Sequence, residues 1–242
     1  MPLSRRSLLA SAPALLGAPL LGLSPSARAN GVLTVGLIPS EDSRAMIANS
    51  QAMMDMLSKA LGMPVKPFVA ADYNGVIEAL RSKRLDVAYL GPFSYVLGTT
   101  VADIEAFAVA ETKKAGRTFY HSLVVARKDS GIQTVADLKG KTFAFGSVSS
   151  TSGSLMPRYF MLQDGIKPED FFSRVAYSGA HDATAAWVQA GKADGGVLNA
   201  SVWDKLVAAG KVDVDKVKVI ATTPPYYDYN WTVRGNLDAA LQ

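Results

Sequence analysis

The chain has 242 residues, is 49 % hydrophobic, and carries 25 lysines and arginines, 21 aspartates and glutamates, two histidines and no cysteine. Without cysteine there is no disulfide, no thiolate nucleophile and no cysteine metal site. Three arginines fall in the first 29 residues, which hold no acid, so the remainder sets 22 basic against 21 acidic residues and lacks the basic excess of a nucleic-acid binder.

The chain opens on Ser4-Arg5-Arg6-Ser7-Leu8-Leu9 and an Ala/Leu/Gly/Pro run, which resembles a twin-arginine export leader, and Ala27-Arg28-Ala29 offers a small-x-small cleavage site. Residues 1–29 are therefore expected to be a signal peptide that sends the protein to the periplasm. The apolar stretch Leu8 to Leu23 is short and broken by Pro13 and Pro19, so it reads poorly as a permanent span. A retained anchor is the alternative.

The remaining stretch of about 213 residues is enough for one large domain or two small ones. Val32 to Ile38 is almost continuously apolar and suits a strand buried on both faces. From Arg44 to Leu61 apolar residues recur at helical spacing, and Gly62 sits where a helix C-cap belongs. Val65 to Ala70 reads as a strand, Asn74 to Arg81 as a helix and Asp86 to Leu90 as another buried strand. The alternation predicts an α/β fold. It restarts after Arg117 with strand Tyr120 to Ala126, a helical turn at Val135 to Leu138, strand Thr142 to Phe145 and helix Gly153 to Gln163. Strand Arg174 to Tyr177, helix Asp182 to Ala190, strand Gly195 to Leu198, helix Val202 to Ala209 and strand Val217 to Ala221 come next, with a return strand at Asn230 to Val233. Two successive α/β units, joined near residues 111–119, predict two lobes with a ligand crevice at the C-terminal ends of the strands.

Two stretches carry chemistry. Phe143 to Gly146, then Ser147 to Ser154, then Leu155 to Phe160 is a strand, a hydroxyl-rich turn and a helix. The free N–H groups and positive dipole end of a helix's first turn bind anions, and Ser150, Thr151 and Ser152 would add hydroxyl donors there. Spacing alone leaves open the alternative that one serine is an N-cap and the others fill the turn. The lysine of a nucleotide-gripping loop is absent. Tyr177 to Asp182 likewise runs from strand through turn to helix, placing His181 at a neighbouring strand end as an oxyanion donor, neutral or charged, or else as a turn residue. His121 is expected to be a half-buried strand histidine. Two histidines about sixty residues apart make no zinc motif, and no G-x-S-x-G elbow is present.

Several stretches together resemble the periplasmic phosphate, phosphite and phosphonate-binding proteins of ABC importers. They are Asp72-Tyr73-Asn74-Gly75, Asp86 to Ser94, Tyr120 to Val125, Ser150-Thr151-Ser152-Gly153-Ser154, Gly179-Ala180-His181, and Asp228 ahead of Trp231-Thr232-Val233-Arg234. The resemblance implies a type II periplasmic-binding-protein architecture: mixed, mostly parallel sheets flanked by helices and a ligand in the inter-lobe cleft. Residues 30–115 with a return segment 224–242 would form one lobe, and 116–223 the other. It implies that Ser150, Thr151, Ser152 and His181 hold an oxyanion, that Tyr73 and Tyr120 reach it from the other lobe and the hinge side, and that Asp228 lies near the second crossover. A carboxylate beside an anion repels it unless the anion has a proton to give, so Asp228 would select protonatable phosphorus oxyanions over sulfate. Binders of aminoalkylphosphonates place a glutamate where Ser201 aligns, and its lack favours phosphite, methylphosphonate or phosphate.

The resulting expectation is a monomeric, non-enzymatic substrate-binding protein that passes its ligand to an inner-membrane permease, with no cofactor, metal or nucleic acid. A membrane-receptor sensor of the same fold is the alternative, and a phosphoester hydrolase using Ser150 or His181 is the rival from another class.

Overall fold

The computed structural model describes residues 31–111, 116–237 and 241. The expected leader lies outside the described residues.

The described chain runs β1 (Leu33–Leu37), α1 (Ser43–Leu61), β2 (Val65–Val69), α2 (Tyr73–Arg81), β3 (Val87–Leu90), α3 (Pro92–Thr99) and β4 (Ile104–Val109). It continues through β5 (Phe119–Tyr120), β6 (Ser122–Arg127), β7 (Thr142–Phe145), α4 (Met156–Gln163), α5 (Pro168–Phe171), β8 (Arg174–Tyr177), α6 (His181–Gln189) and β9 (Gly195–Asn199). The end of the chain supplies α7 (Ala200–Ala208), β10 (Val217–Thr222), β11 (Tyr226–Tyr227) and β12 (Asn230–Arg234).

Local chemistry explains the helix ends. Asp42 caps α1 by accepting the Ala45 N–H at 2.9 Å, and Gly62 ends it in the left-handed region at φ 65°. Asp72 caps α2 by accepting the Gly75 N–H at 2.8 Å, which fixes Tyr73 at the first turn with its ring buried.

The strands form two five-stranded sheets and one two-stranded ribbon. The first sheet has the order β2-β1-β3-β12-β4 and the second β10-β6-β9-β7-β8. Both are mixed: β1 is parallel to β2 and β3, and β7 to β8 and β9, while β12 and β6 run antiparallel to their neighbours. Each sheet has apolar clusters built on it. In the first lobe Val76, Leu80 and Leu90 form one, and Val35, Leu37 and Met54 another. In the second, Leu138, Phe143 and Phe145 form one, and Val125, Val188 and Leu198 another.

The segment read from sequence as one strand, Tyr120 to Ala126, is two. Phe119 and Tyr120 pair with Tyr227 and Tyr226 in the ribbon, whereas Ser122 onward pairs with β9 and β10. The chain changes partners at His121, which is half-buried in the break rather than within a strand. Its Nδ1 donates to the Thr223 carbonyl at 2.8 Å, and the Ser122 N–H donates to Thr223 Oγ1 at 2.9 Å. The ribbon β5–β11 is thus where both crossings between the lobes lie side by side.

β12, from the far end of the chain, sits inside the first sheet and is pinned there by Asp86. The buried Asp86 carboxylate accepts the Thr34 N–H at 2.9 Å and Arg234 Nε at 3.0 Å. Breaking a buried pair leaves an uncompensated charge, so Asp86→Ala is expected to lower stability by about 3–5 kcal/mol. Urea unfolding, followed by tryptophan fluorescence, measures the change.

Candidate functional site

The C-terminal end of β7 delivers the hydroxyl-rich turn. Ser150 Oγ accepts the Gly153 N–H at 3.0 Å, and Thr151–Leu155 wind as a single wide π-type turn ahead of α4. Such turns recur at functional sites because they re-aim a helix's first donors. Gly153 is required here: a Cβ would meet Ser150 Oγ at 3.0 Å and both Gly146 Cα and His181 Cε1 at 3.1 Å. Ser150, Thr151 and Ser152 are all buried, Ser152 completely.

Each of these hydroxyls has its acceptor side engaged or faces another donor. Thr151 Oγ1 accepts the Phe93 N–H from the other lobe at 2.9 Å, and Ser150 Oγ is occupied by Gly153, so both protons are left to point elsewhere. The Ser152 carbonyl accepts Ser122 Oγ at 2.7 Å, and Ser122 in turn bonds the Tyr226 hydroxyl.

His181 opens α6 and is fully buried. Its Nδ1 accepts the Asn199 N–H at 3.4 Å, which puts the ring proton on Nε2, 3.5 Å from Ser152 Oγ. Burial, helped by the positive charge of Lys205, pushes its pKa down to about 3. His181 is therefore a neutral donor, and the charged form that its turn position also allowed is disfavoured. With its proton on Nε2, it is also a poor base for a serine nucleophile.

Tyr73 comes from the first lobe and Tyr120 from the hinge ribbon. Among the described residues, their hydroxyls are the buried side-chain polar atoms with no hydrogen-bond partner. The Tyr73 hydroxyl lies near those of Tyr229 and Ser150, and that of Tyr120 near Ser152 and Thr151, without reaching bonding geometry. Burial pushes Tyr73 up to about 12 and Tyr120 well above the ordinary phenol value, so both stay protonated. An unpartnered buried hydroxyl costs about 1–3 kcal/mol, which an acceptor placed between them would recover.

Asp228 follows β11, half-buried, with Oδ1 accepting the Tyr229 N–H at 2.7 Å. Burial raises its pKa above the ordinary 3.8, and its field reaches Tyr89, Tyr120 and Tyr226. The structure thus gathers Tyr73, Tyr120, Ser150, Thr151, Ser152 and His181 into one cluster and sets Asp228 on its hinge side, beside Tyr120. Sequence reading did not find Tyr229, whose ring packs on Tyr89 and Tyr120 at 5.1 and 5.8 Å, nor the Phe93 amide. Gly91-Pro92 was the signal for the latter, a strand end followed by proline at a helix start.

The lobes are closed on this cluster. Besides Phe93 to Thr151, the cleft is crossed by Ser94 Oγ to the Ser149 carbonyl at 2.8 Å, His181 N–H to the Ser40 carbonyl at 2.9 Å, and Asn74 to Ser149. Among the described residues, no group of three or more histidines and carboxylates is arranged to hold a metal, and no helix is long and apolar enough to cross a membrane.

The sequence pattern of the family described as "ABC transporter, phosphonate, periplasmic substrate-binding protein" matches residues 35–242. The chain belongs to this phosphonate-binding family. A probable ABC transporter phosphite-binding protein of Prochlorococcus marinus is 31 % identical over 86 % of this chain and 71 % of its own length. The phosphonates-binding periplasmic protein of Escherichia coli is 30 % identical over 79 % of this chain, which spans 57 % of that relative's length. A solved structure of the Prochlorococcus protein in complex with methylphosphonate superposes with a TM-score of 0.79 at 29 % identity, covering 88 % of this chain and 79 % of that one. The phosphonate-binding family is a periplasmic one, and its members are the substrate-binding components of ABC transporters.

Two outcomes test the site's physics. The unfolded chain protonates a histidine near its ordinary value of 6.5, whereas native His181 resists until about 3, so stability present above 6.5 drains away as pH falls through this window. In His181→Gln, thermodynamic stability should fall less steeply there, by up to about 1.4 kcal/mol per pH unit, as read by urea unfolding across the range. A Cβ at Gly91 would sit 3.1 Å from both Thr151 Oγ1 and Tyr229 Cε1. Gly91→Ala should therefore crowd Thr151 across the cleft and lower the melting temperature, as read by thermal unfolding.

Proposed function

We propose that the protein captures a small phosphorus oxyanion between its lobes and delivers it to an inner-membrane ABC permease. The observation that carries this reading is the pair of unpartnered, protonated phenol hydroxyls, Tyr73 and Tyr120, facing the Ser150–Ser152 turn and the neutral His181. Such a cage offers neutral donors from both lobes and the hinge. Affinity would come from dehydration and preorganisation rather than from salt bridges. An anion that accepts from both lobes favours the closed form, as in hinge-closing binding proteins.

Asp228 sharpens the ligand class. Asp228 as a carboxylate can accept the proton that phosphite, a phosphonate or phosphate carries, whereas sulfate has none to give, and burial, which raises its pKa, makes an unrelieved charge clash there costlier. The relative of known complex holds methylphosphonate. In this reading residues 1–29 export the chain, and residues 30–115 with 224–242 close against 116–223 as a monomer. The Ser201 position lacks the carboxylate that would favour an aminophosphonate.

Isothermal titration with phosphite, methylphosphonate, phosphate and sulfate tests the reading. One or more phosphorus oxyanions should bind while sulfate is silent. Ser152→Ala should weaken binding by about ten- to a hundredfold, the worth of one charge-assisted hydrogen bond of about 1.5–3 kcal/mol. Asp228→Asn should narrow the gap between phosphite and sulfate. Equal binding of sulfate by the wild type would overturn the role given to Asp228, and silence from every phosphorus oxyanion would overturn the proposal.

A further inference from the structure

The lobes are tied together at a second place, where the connection between β1 and α1 meets the second lobe. That connection is stiff: the Ser40 N–H donates to the Ile38 carbonyl at 2.7 Å, Ser40 is buried, and Asp42 caps α1. Three consecutive residues of it reach across. The Ser40 carbonyl accepts the His181 N–H at 2.9 Å, so one free donor of the first turn of α6 is taken. Glu41 is held by Lys205 Nζ of α7 at 3.0 Å, with 22 % of its side chain exposed. The Asp42 N–H faces the Asp182 carboxylate and draws its pKa down.

The charges at this junction do not balance without Lys205. Burial raises the pKa of Asp182, and the negative charge of Glu41 across the cleft raises it further, so the two carboxylates repel each other as the lobes meet. The Asp42 carboxylate is engaged by its helix cap, accepting the Ala45 N–H at 2.9 Å. Lys211 shares a surface groove with Asp182, but both belong to the second lobe, so they stay together whether the lobes are open or closed. Glu41 and Lys205 stand on the wall of a cavity of about 380 Å³ beside the donor cluster, with Tyr89, Glu111, Asp228 and Trp231. There Glu111 is exposed and screened by water, and Asp228 is engaged by the Tyr229 N–H. Lys205 is thus the cation that bonds across the gap at the point where Glu41 and Asp182 face each other.

We infer that Ser40, Glu41 and Asp42 form a latch on α6 and α7, and that Lys205 is the counter-charge that lets Glu41 and Asp182 come together as it closes. Lys205 is a positioning residue: it acts on the closed state, and the same latch, through the Ser40 carbonyl and the His181 N–H, holds the head of α6 that carries the His181 donor. The inference goes beyond the phosphorus-oxyanion reading, because it concerns how the lobes are held, whichever anion the cleft takes.

The chain has no cysteine, so spin labels can be placed through Lys59→Cys in α1 and Gln163→Cys in α4, exposed positions on opposite lobes. Their spacing, measured by double electron–electron resonance, gives the ratio of closed to open molecules with and without methylphosphonate or phosphite. The labelled chain is compared with Lys205→Met, Asp182→Asn and the double variant, and the two ligands are titrated into each. Lys205→Met keeps the apolar stem of an exposed side chain, and Asp182→Asn keeps an oxygen for the Ala183 N–H, so neither burdens the fold, and thermal unfolding checks this. Lys205→Met should lower the closed-to-open ratio by about fivefold, the upper range for an exposed ion pair. It should weaken methylphosphonate and phosphite by one common factor, mostly through faster release. Adding Asp182→Asn should bring both readouts back to within about twofold of wild type, because the carboxylate left opposing Glu41 is gone. Three results would overturn the inference: Lys205→Met with unaltered ratio and affinity, a double variant no closer to wild type than Lys205→Met, or unequal factors for the two ligands, which would put Lys205 at the ligand. If every phosphorus oxyanion is silent, the anion reading fails, and the label spacing of the free protein still decides the latch.

Discussion

A hydroxyl can give its one proton to only one strong acceptor, and Thr151 puts that limit to use. Its oxygen accepts an amide from the opposite lobe, so its proton stays available for an acceptor other than that amide. The contact that helps to close the molecule thereby leaves a donor to spare. Ser150 obeys the same rule locally, with its oxygen taken by Gly153, and His181 does so through Asn199, which leaves Nε2 as the protonated nitrogen. Closure, capping and tautomer choice each occupy a lone pair of these groups, and in the proposed reading the acceptor that their protons serve comes from outside.

Around this point runs a file of rings from the cavity to the hinge: Trp231, Tyr89, Tyr229, Tyr120 and Tyr226, each within 5.8 Å of the next. Tyr226 ends the file by bonding Ser122, whose hydroxyl holds the Ser152 carbonyl. The ribbon that joins the lobes is therefore in physical contact with both the donor turn and the adjoining cavity. A rotation at the ribbon cannot leave either unchanged, because packed aromatic contacts have discrete arrangements and do not deform continuously.

The sequence made legible those parts whose chemistry is local. The buried strands β1, β3, β7 and β9 stand out as apolar runs, and α1 shows its periodicity and its glycine stop. The turn at Ser150 and the placement of His181 follow from strand, turn and helix in succession, although spacing alone could not choose between capping and binding. The illegible parts depend on partners far away in the chain. β4 buries Ile104 and leaves its other residues exposed, so it has no alternation to detect. β5 and β11 have two residues each, too few for any period. α3 begins with a proline that reads as a breaker until the helix start is seen. The Phe93 donor is a backbone amide, which no residue type announces, and Tyr229 matters through rings drawn from two separate strands, β3 and β5. Glu41 and Lys205 lie 164 positions apart, so their pairing was invisible.

The insertion of β12 between β3 and β4 has a consequence for the order of assembly. All five strands of the second sheet lie in one continuous stretch, Ser122 to Thr222, so that lobe can complete its core as soon as this stretch has been synthesised. The other lobe begins earlier and finishes later, since β4 has no neighbour in its sheet until Asn230–Arg234 arrives. Until then its outer strand is an exposed edge and Asp86 waits for Arg234. The half of the molecule made first is the last to become whole, and the pairing that completes it spans more of the chain than any within its companion.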